Sequence, residues 1–143
     1  MNFWIIQGLN GLAFGSLLFI LASGFSLIFG LMRIVNLAHG AYFMLGAYVG
    51  LSAIDAGVNF WIAILLGAAA ISILGAIMER FILRRLNGQP LAQVLVTLGI
   101  AFIIADTCVW IWTGDPRPVP MPNELTGALR ISHLAFPIYR LFV

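Results

Sequence analysis

Charged residues are scarce in this sequence: 8% of its 143 residues are Asp, Glu, Lys or Arg, whereas 62% are hydrophobic. A soluble domain usually has about 25% charged and about 45–50% apolar residues. Lysine is absent, and the seven arginines are scattered, which argues against a nucleic-acid-binding surface. Because a chain this short has too few polar residues to cover a core, lipid must contact most of its surface. The composition predicts a membrane protein whose partner is the lipid bilayer.

Cysteine and histidine are also scarce. The single cysteine, Cys108, excludes an internal disulfide and a cysteine-rich metal site, and we interpret it as an inert packing residue. The two histidines, His39 and His133, are far apart, and no HExxH, GxSxG or phosphate-binding glycine-rich motif is present. We therefore expect no enzymatic activity, no catalytic residue, no metal and no cofactor. A basic n-region is missing too, so we expect the first apolar run to remain as an anchor.

Long uncharged runs predict four membrane-spanning helices at residues 8–29, 34–54, 60–78 and 91–112, since a helix needs about 20 apolar residues to cross a bilayer. Residues 113–133 contain four of the six prolines and predict an extended external loop. The short apolar stretch 134–143 predicts the beginning of a fifth span. The expected fold is all-α: one polytopic transmembrane helix bundle, residues 1–143.

The arginines predict an orientation. If every predicted span crosses, four of them lie in loops on one side: Arg33, Arg80, Arg84 and Arg85. The loops on the other side contain Arg117 and Arg130. Because cytoplasmic loops are enriched in basic residues, we expect the N-terminus and the 113–133 loop outside, and residues 80–90 inside.

The most informative segment reads Arg33-Ile-Val-Asn-Leu-Ala-His-Gly-Ala-Tyr-Phe-Met-Leu-Gly-Ala-Tyr48. It resembles the RIxNxAHGxxxMxGAY signature of the LivH-type branched-chain amino acid ABC transporter permeases, a family that includes permeases for urea and short amides. The runs Gly11–Gly30, Glu79–Phe81 and Ala92–Ile100 are similar to the same family. The resemblance therefore covers nearly the whole chain.

This resemblance implies a permease subunit of an ABC importer that moves branched-chain amino acids or similar small polar solutes across the inner (plasma) membrane. It implies three kinds of partner: a second permease subunit, ABC ATPase subunits and an external solute-binding protein. In the family, the loop that contacts the ATPase follows the fifth span. That loop is absent here, so we expect an N-terminal half that is inactive alone. The residues leave two alternatives open, a passive small-solute channel or facilitator and a non-transporting scaffold fragment.

Small and polar residues share one face of the helix predicted from Ile34. By 3.6-residue periodicity this face holds Asn36, His39, Gly40, Phe43, Gly46, Ala47 and Gly50. Such a face predicts contact with other helices, because helices in lipid associate through close backbone approach and hydrogen bonds. The predicted helix-packing positions are Gly11 and Gly15 on the first span and Gly40, Gly46 and Gly50 on the second.

Three polar residues within or beside predicted spans are candidates for the translocation path. Asn36 and His39 either line the path or its cytoplasmic gate, or tie the turn and cap the helix through backbone hydrogen bonds. Asp106 is the single acid inside a predicted span, where ionisable groups are costly and usually face water or a bundle interior. It either lines the external vestibule and contacts a substrate's ammonium group, or reaches outward, or pairs with an arginine.

Overall fold

The computed structural model describes residues 2–32, 34–114, 117–120, 128–131 and 134–137. Its elements in chain order are α1 (Asn2–Met32), α2 (His39–Asp55), α3 (Phe60–Phe81), a 3-10 turn (Leu83–Leu86), α4 (Pro90–Trp112), β1 (Ala128–Ile131) and β2 (Leu134–Pro137). Within these described ranges, three helical stretches are long and apolar enough to cross a membrane: Phe3–Leu31, Phe60–Leu86 and Pro90–Trp112. The predicted class, an all-α transmembrane bundle, is confirmed, with one short β-hairpin added to it.

The chain divides into two compact units, one formed by Met1–Gly24 with Val119–Val143 and the other by Phe25–Pro118. The first unit contains most of α1, which is 31 residues long. This helix extends past both ends of the predicted span 8–29, because neither a charge nor a proline interrupts the apolar run.

The same unit contains the hairpin, in which β1 and β2 pair antiparallel with Ala128 opposite Pro137 and Ile131 opposite Leu134. β1 lies within the predicted external loop. β2 occupies the first residues of the stretch where a fifth span was expected to begin, and it is a strand rather than a helical turn. Pro137 gives a reason, since proline disfavours the helical conformation in the residue before it. Residues 138–143 of that predicted span lie outside the described residues.

The second predicted span differs from the structure at its start. A helix was expected from Ile34, but α2 begins at His39, and Ile34–Ala38 forms a non-helical stretch that ends in a turn at Leu37 and Ala38 and that we call the extended segment. Part of its backbone is hydrogen-bonded by side chains of α4 and not by a helical turn. α2 itself has 17 residues, about 26 Å at 1.5 Å per residue, so it falls short of a hydrocarbon core of about 30 Å.

The third and fourth predicted spans correspond to α3 and α4 within three residues at each end. α3 begins after Asn59, whose side chain accepts a hydrogen bond from the Trp61 backbone N–H over 2.9 Å, as helix N-caps do. The chain turns into α4 at Gly88, which has a φ of 82° that glycine adopts without steric cost. Pro90 then occupies the first helical position, where its missing N–H removes no bond.

α2 and α3 run antiparallel and approach each other most closely at glycines. A Cβ atom placed on Gly67 would lie 2.8 Å from the carbonyl oxygen of Gly46, and one on Gly50 would lie 3.5 Å from the carbonyl oxygen of Ala63. Ala63 and Gly67 are buried. The two backbones are therefore in direct contact, the arrangement that small residues permit between membrane helices.

The C-terminal end of α2 lies beside the C-terminal end of α4. Tyr48 stacks on Trp112 with ring centroids 5.0 Å apart, and the Trp112 indole N–H donates to Ser52 Oγ over 2.8 Å. Beyond the helices, Arg117 and Asp55 form an exposed ion pair of 3.5 Å, a type of contact that contributes little to stability. α2 and α4 are consequently parallel neighbours.

Candidate functional site

Three of the five residues of the extended segment are buried although its backbone is not helical. Ile34 is 7% exposed, Asn36 9% and Ala38 0%. Ile34 and Ala38 belong to a cluster of buried residues that also contains Tyr42 of α2, Met78 of α3 and Leu83 of the 3-10 turn. Irregular backbone at membrane depth is tolerated only where protein buries it or it lines a cavity. The burial of this segment meets that condition.

Two side chains of α4 bind the backbone of the extended segment. The Val35 N–H donates to Gln93 Oε1 over 3.3 Å, and the Leu37 N–H donates to Thr97 Oγ1 over 3.1 Å. The spacing of the two N–H groups matches that of the two side chains. Alternate residues of an extended chain are about 6.6 Å apart, and residues four apart on a helix are about 6 Å apart. The segment therefore runs parallel to α4, and each of the two polar side chains accepts one backbone N–H.

Gln93 and Thr97 are almost completely buried, at 1% and 0% exposed, and both make further hydrogen bonds. Gln93 Nε2 donates to the carbonyl oxygen of Leu86 over 3.1 Å, so Gln93 joins the extended segment to the 3-10 turn. Thr97 Oγ1 lies 2.7 Å from the carbonyl oxygen of Gln93, one turn earlier in α4. Throughout the described part of the chain, no buried side-chain nitrogen or oxygen lacks a partner.

Asn36 and His39 lie together at the start of α2. Asn36 Oδ1 accepts a hydrogen bond from the Ala38 N–H over 3.0 Å, the local bond by which asparagine stabilises turns. Ala38 is the N-cap residue of α2 and makes no side-chain capping bond. His39 is the first residue of α2 and is half-buried. Asn36 therefore ties the turn, as one of its two interpretations expects, and His39 remains accessible beside it.

Asp106 is placed away from this pair. It is exposed on α4, nine residues beyond Thr97, which is about 14 Å along the helix. Among the described residues it forms no ion pair, the recorded one being Arg117 with Asp55. The structure thus separates the three path candidates into a pair at one end of α2 and a lone carboxylate farther along α4.

The predicted helix-packing glycines fall into two groups. Gly46 and Gly50 face α3, and a Cβ on Gly46 would lie 3.0 Å from Ile71 Cγ1. Around Gly11, Gly15 and Gly40, an added Cβ would meet no atom of the described residues within 4 Å.

An apolar cavity of about 290 Å³ lies between α2, α3 and α4. Its lining consists of Tyr42, Leu45, Leu74, Ile77, Met78, Ile82, Ile100, Ile103, Ile104 and Thr107. The Tyr42 hydroxyl is hydrogen-bonded to Met78 Sδ, and Thr107 Oγ1 to the carbonyl oxygen of Ile103, so both polar side chains of the lining already have partners. In the described ranges no group of three or more His, Cys, Asp or Glu residues could hold a metal ion.

Gln93 and Thr97 were not among the site residues predicted from the sequence. The available signal was their spacing: two polar residues four positions apart share one face of a helix, and this pair lies in the first half of a largely apolar span. A pair of hydrogen-bonding side chains on one face of a membrane helix indicates a polar contact inside the protein.

Comparison with known proteins adds the family. Residues 8–137 match a family whose description is "Branched-chain amino acid transport system / permease component". The chain belongs to this permease family. The matched range includes the extended segment, Gln93 and Thr97. The resemblance expected from the Arg33–Tyr48 motif is confirmed, and the family is one of transport permeases, not a class of enzymes.

Two curated relatives of this branched-chain amino acid permease family illustrate the extent of the match. The chain is 28% identical over 141 residues to the high-affinity branched-chain amino acid transport system permease protein LivH of Escherichia coli K12, covering 92% of this chain and 45% of LivH. It is 27% identical over 134 residues to BraD of Pseudomonas aeruginosa, covering 87% of this chain and 43% of BraD. The chain spans about half the length of these relatives. No solved structure matches it.

Family membership and the three long apolar helices together describe a multi-pass membrane protein of a transport system. The polar contacts inside it are concentrated where the extended segment meets α4.

Proposed function

We propose that this chain forms part of the membrane permease of an ABC importer that moves branched-chain amino acids, or similarly small polar solutes, across the inner (plasma) membrane. The observation that carries the proposal is the non-helical segment Ile34–Ala38 between α1 and α2, in which Ile34, Asn36 and Ala38 are buried. In transporters, non-helical backbone enclosed by membrane helices occurs at solute and ion sites. The family match and the printed names of LivH and BraD support the class of solute.

The proposed orientation puts the 3-10 turn Leu83–Leu86 on the cytoplasmic side, because Arg84 and Arg85 are exposed there and basic residues favour that side. Asn36 and His39 then lie at a cytoplasmic gate of the path. Asp106 lies nearer the external end, where its carboxylate offers a counter-charge to the ammonium group of an amino acid. A carboxylate inside a membrane span is most stable where it faces water or the interior of the helix bundle.

The proposed partners are a second permease subunit, a pair of ABC ATPase subunits and an external solute-binding protein. A permease segment without an ATP-binding motif depends on the ATPase for energy, so the uptake it supports is expected to require ATP.

Uptake in a transport-deficient cell tests the function. The gene product is expressed together with its companion subunits, and uptake of labelled leucine and of labelled urea is measured with and without depletion of ATP. We expect ATP-dependent leucine uptake that deletion of this chain abolishes. Uptake that continues unchanged after ATP depletion would instead indicate a passive facilitator, and uptake unaffected by the deletion would indicate a scaffold.

The orientation makes a separate prediction for the loop between α3 and α4. In a Cys108→Ala background, a cysteine replacing Asn87, an exposed residue, should resist a membrane-impermeant thiol reagent in intact cells and react after the membrane is opened. A cysteine replacing Val119, also exposed, serves as the comparison and should react from outside without opening. Labelling of the Asn87→Cys protein in intact cells would reverse the proposed orientation.

A further inference from the structure

The apolar cavity between α2, α3 and α4 has a buried floor and an open mouth. Tyr42 and Met78 line it and are 8% and 5% exposed, so they form the floor. Ile77 of α3 and Ile103 of α4 also line the cavity, but they are 49% and 66% exposed and lie at its mouth. A molecule on the exposed side of α3 and α4 can therefore reach the cavity past these two isoleucines.

The lining restricts the occupant to an apolar group. The hydroxyls of Tyr42 and Thr107 are already bonded, to Met78 Sδ and to the Ile103 carbonyl oxygen. A polar group among the remaining aliphatic side chains would have no hydrogen-bond partner, which is costly. A dry cavity of about 150 Å³ lined by Leu, Ile and Phe is large enough to bind benzene, and this cavity has about 290 Å³. A branched aliphatic side chain therefore fits.

The position of the cavity connects the candidate residues of the path. Tyr42 lies one turn after His39 in α2, and Thr107 follows Asp106 directly in α4. Ile103 and Asp106 are both exposed and three positions apart, so they are neighbours on the surface of α4, with Cβ atoms about 5–6 Å apart. An amino acid whose ammonium group binds the Asp106 carboxylate can thus insert its side chain at the cavity mouth.

The charge beside the mouth favours an amino acid over a lipid chain as the occupant. Asp106 forms no ion pair among the described residues, and a carboxylate inside a span needs water, a polar surrounding or a partner. A lipid acyl chain in the cavity would bring hydrocarbon to this carboxylate and no positive charge. An amino acid brings both an apolar side chain for the cavity and an ammonium group for the carboxylate.

We infer that this cavity is the subsite for the aliphatic side chain of the imported amino acid, with Asp106 binding the ammonium group at its mouth. The inference rests on the proposed function and narrows its solute to amino acids with a short branched side chain. Urea has no carbon chain, so it gains no stabilisation from burial of apolar surface in the cavity. The isoleucines of the lining are then specificity-determining residues.

Two substitutions change the size of the cavity in opposite directions. Ile103→Trp places a larger side chain at the mouth, and Ile104→Ala removes most of a side chain from the lining. Ile73→Trp is the matched control for the first, because Ile73 is 61% exposed on α3 and is not part of the lining. Each variant is expressed with the same companion subunits, and initial uptake of labelled leucine and of labelled valine is measured. Since the same binding protein delivers the solutes throughout, a change in their ratio arises in the permease.

We expect Ile103→Trp to lower the leucine-to-valine uptake ratio about tenfold and Ile104→Ala to raise it by a similar factor, the lower end of what one methylene contributes to discrimination in an apolar pocket. Ile73→Trp should leave the ratio unchanged. The ratio does not depend on how much permease is folded, so loss of stability alone would not shift it.

A ratio that Ile103→Trp leaves unchanged would overturn the inference, and the cavity would then be covered by lipid or by another helix. The same holds for an unchanged ratio in Ile104→Ala, and if that variant assembles too poorly to import, Ile103→Trp alone decides. If the unsubstituted assembly imports neither amino acid, the proposed function itself has failed, which separates the two results.

Discussion

Replacing Gly67 with leucine is expected to separate α2 from α3 and to lower the free energy of unfolding by about 3 kcal/mol or more, at the upper end of what overpacking costs. A Cβ at this position would already lie 2.8 Å from the Gly46 carbonyl oxygen. That neighbour is backbone, so it cannot rotate away as a side chain would. Unfolding of the purified protein in increasing SDS, followed by tryptophan fluorescence, measures the change.

Gly75→Leu is the matched control on the same helix. An added Cβ at Gly75 meets no described atom within 4 Å, so the larger side chain has room, and leucine favours the helix over glycine by up to about 1 kcal/mol. We expect Gly75→Leu to unfold at the same SDS concentration as the parent protein or a higher one. Equal destabilisation by the two substitutions would contradict the assigned α2–α3 interface.

Asp106→Asn is expected to lower leucine uptake about tenfold, a loss of about 1.4 kcal/mol of stabilisation, without lowering the amount of protein in the membrane. The substitution keeps the shape of the side chain and removes its negative charge. If the carboxylate attracts the ammonium group of the solute, the charge is what matters, since charge-assisted hydrogen bonds are stronger than neutral ones. Initial uptake rates, normalised to the amount of permease, provide the measurement.

A second variant sharpens this test. Asp106→Glu preserves the charge and should retain most of the uptake. Should Asp106→Asn transport as well as the parent while Asp106→Glu does not, the size of the side chain and not its charge would be the determining property, and the proposed ammonium contact would be wrong.

The helices α3 and α4 were predictable from the sequence because their limits are marked locally. Asn59 caps one, Pro90 begins the other, and a largely apolar run of the right length fills each. The extended segment was not predictable in this way. Its apolar and small residues suit a helix, and the side chains that hold its backbone lie 58 and 60 positions away in the sequence. A periodicity argument considers one helix at a time and does not include such distant partners.

The candidate site was predicted only in part, again because the contacts that define it join residues far apart in the sequence. Asn36 and His39 were predicted because they are polar residues in a stripe of small ones, and the structure places them together at the start of α2. Gln93 and Thr97 were passed over because each forms an ordinary part of α4 when that helix is considered alone. Their importance appears only when the bound N–H groups of Val35 and Leu37 are identified.

The extended segment also lengthens the part of the chain that lies beside α4. Val35 contacts Gln93 at one end and Ser52 contacts Trp112 at the other, and the stretch of α4 between these contacts is about 29 Å long. α2 alone, with 17 residues, is about 26 Å long. The residues before α2 therefore extend its contact with α4 to nearly the thickness of a hydrocarbon core, about 30 Å.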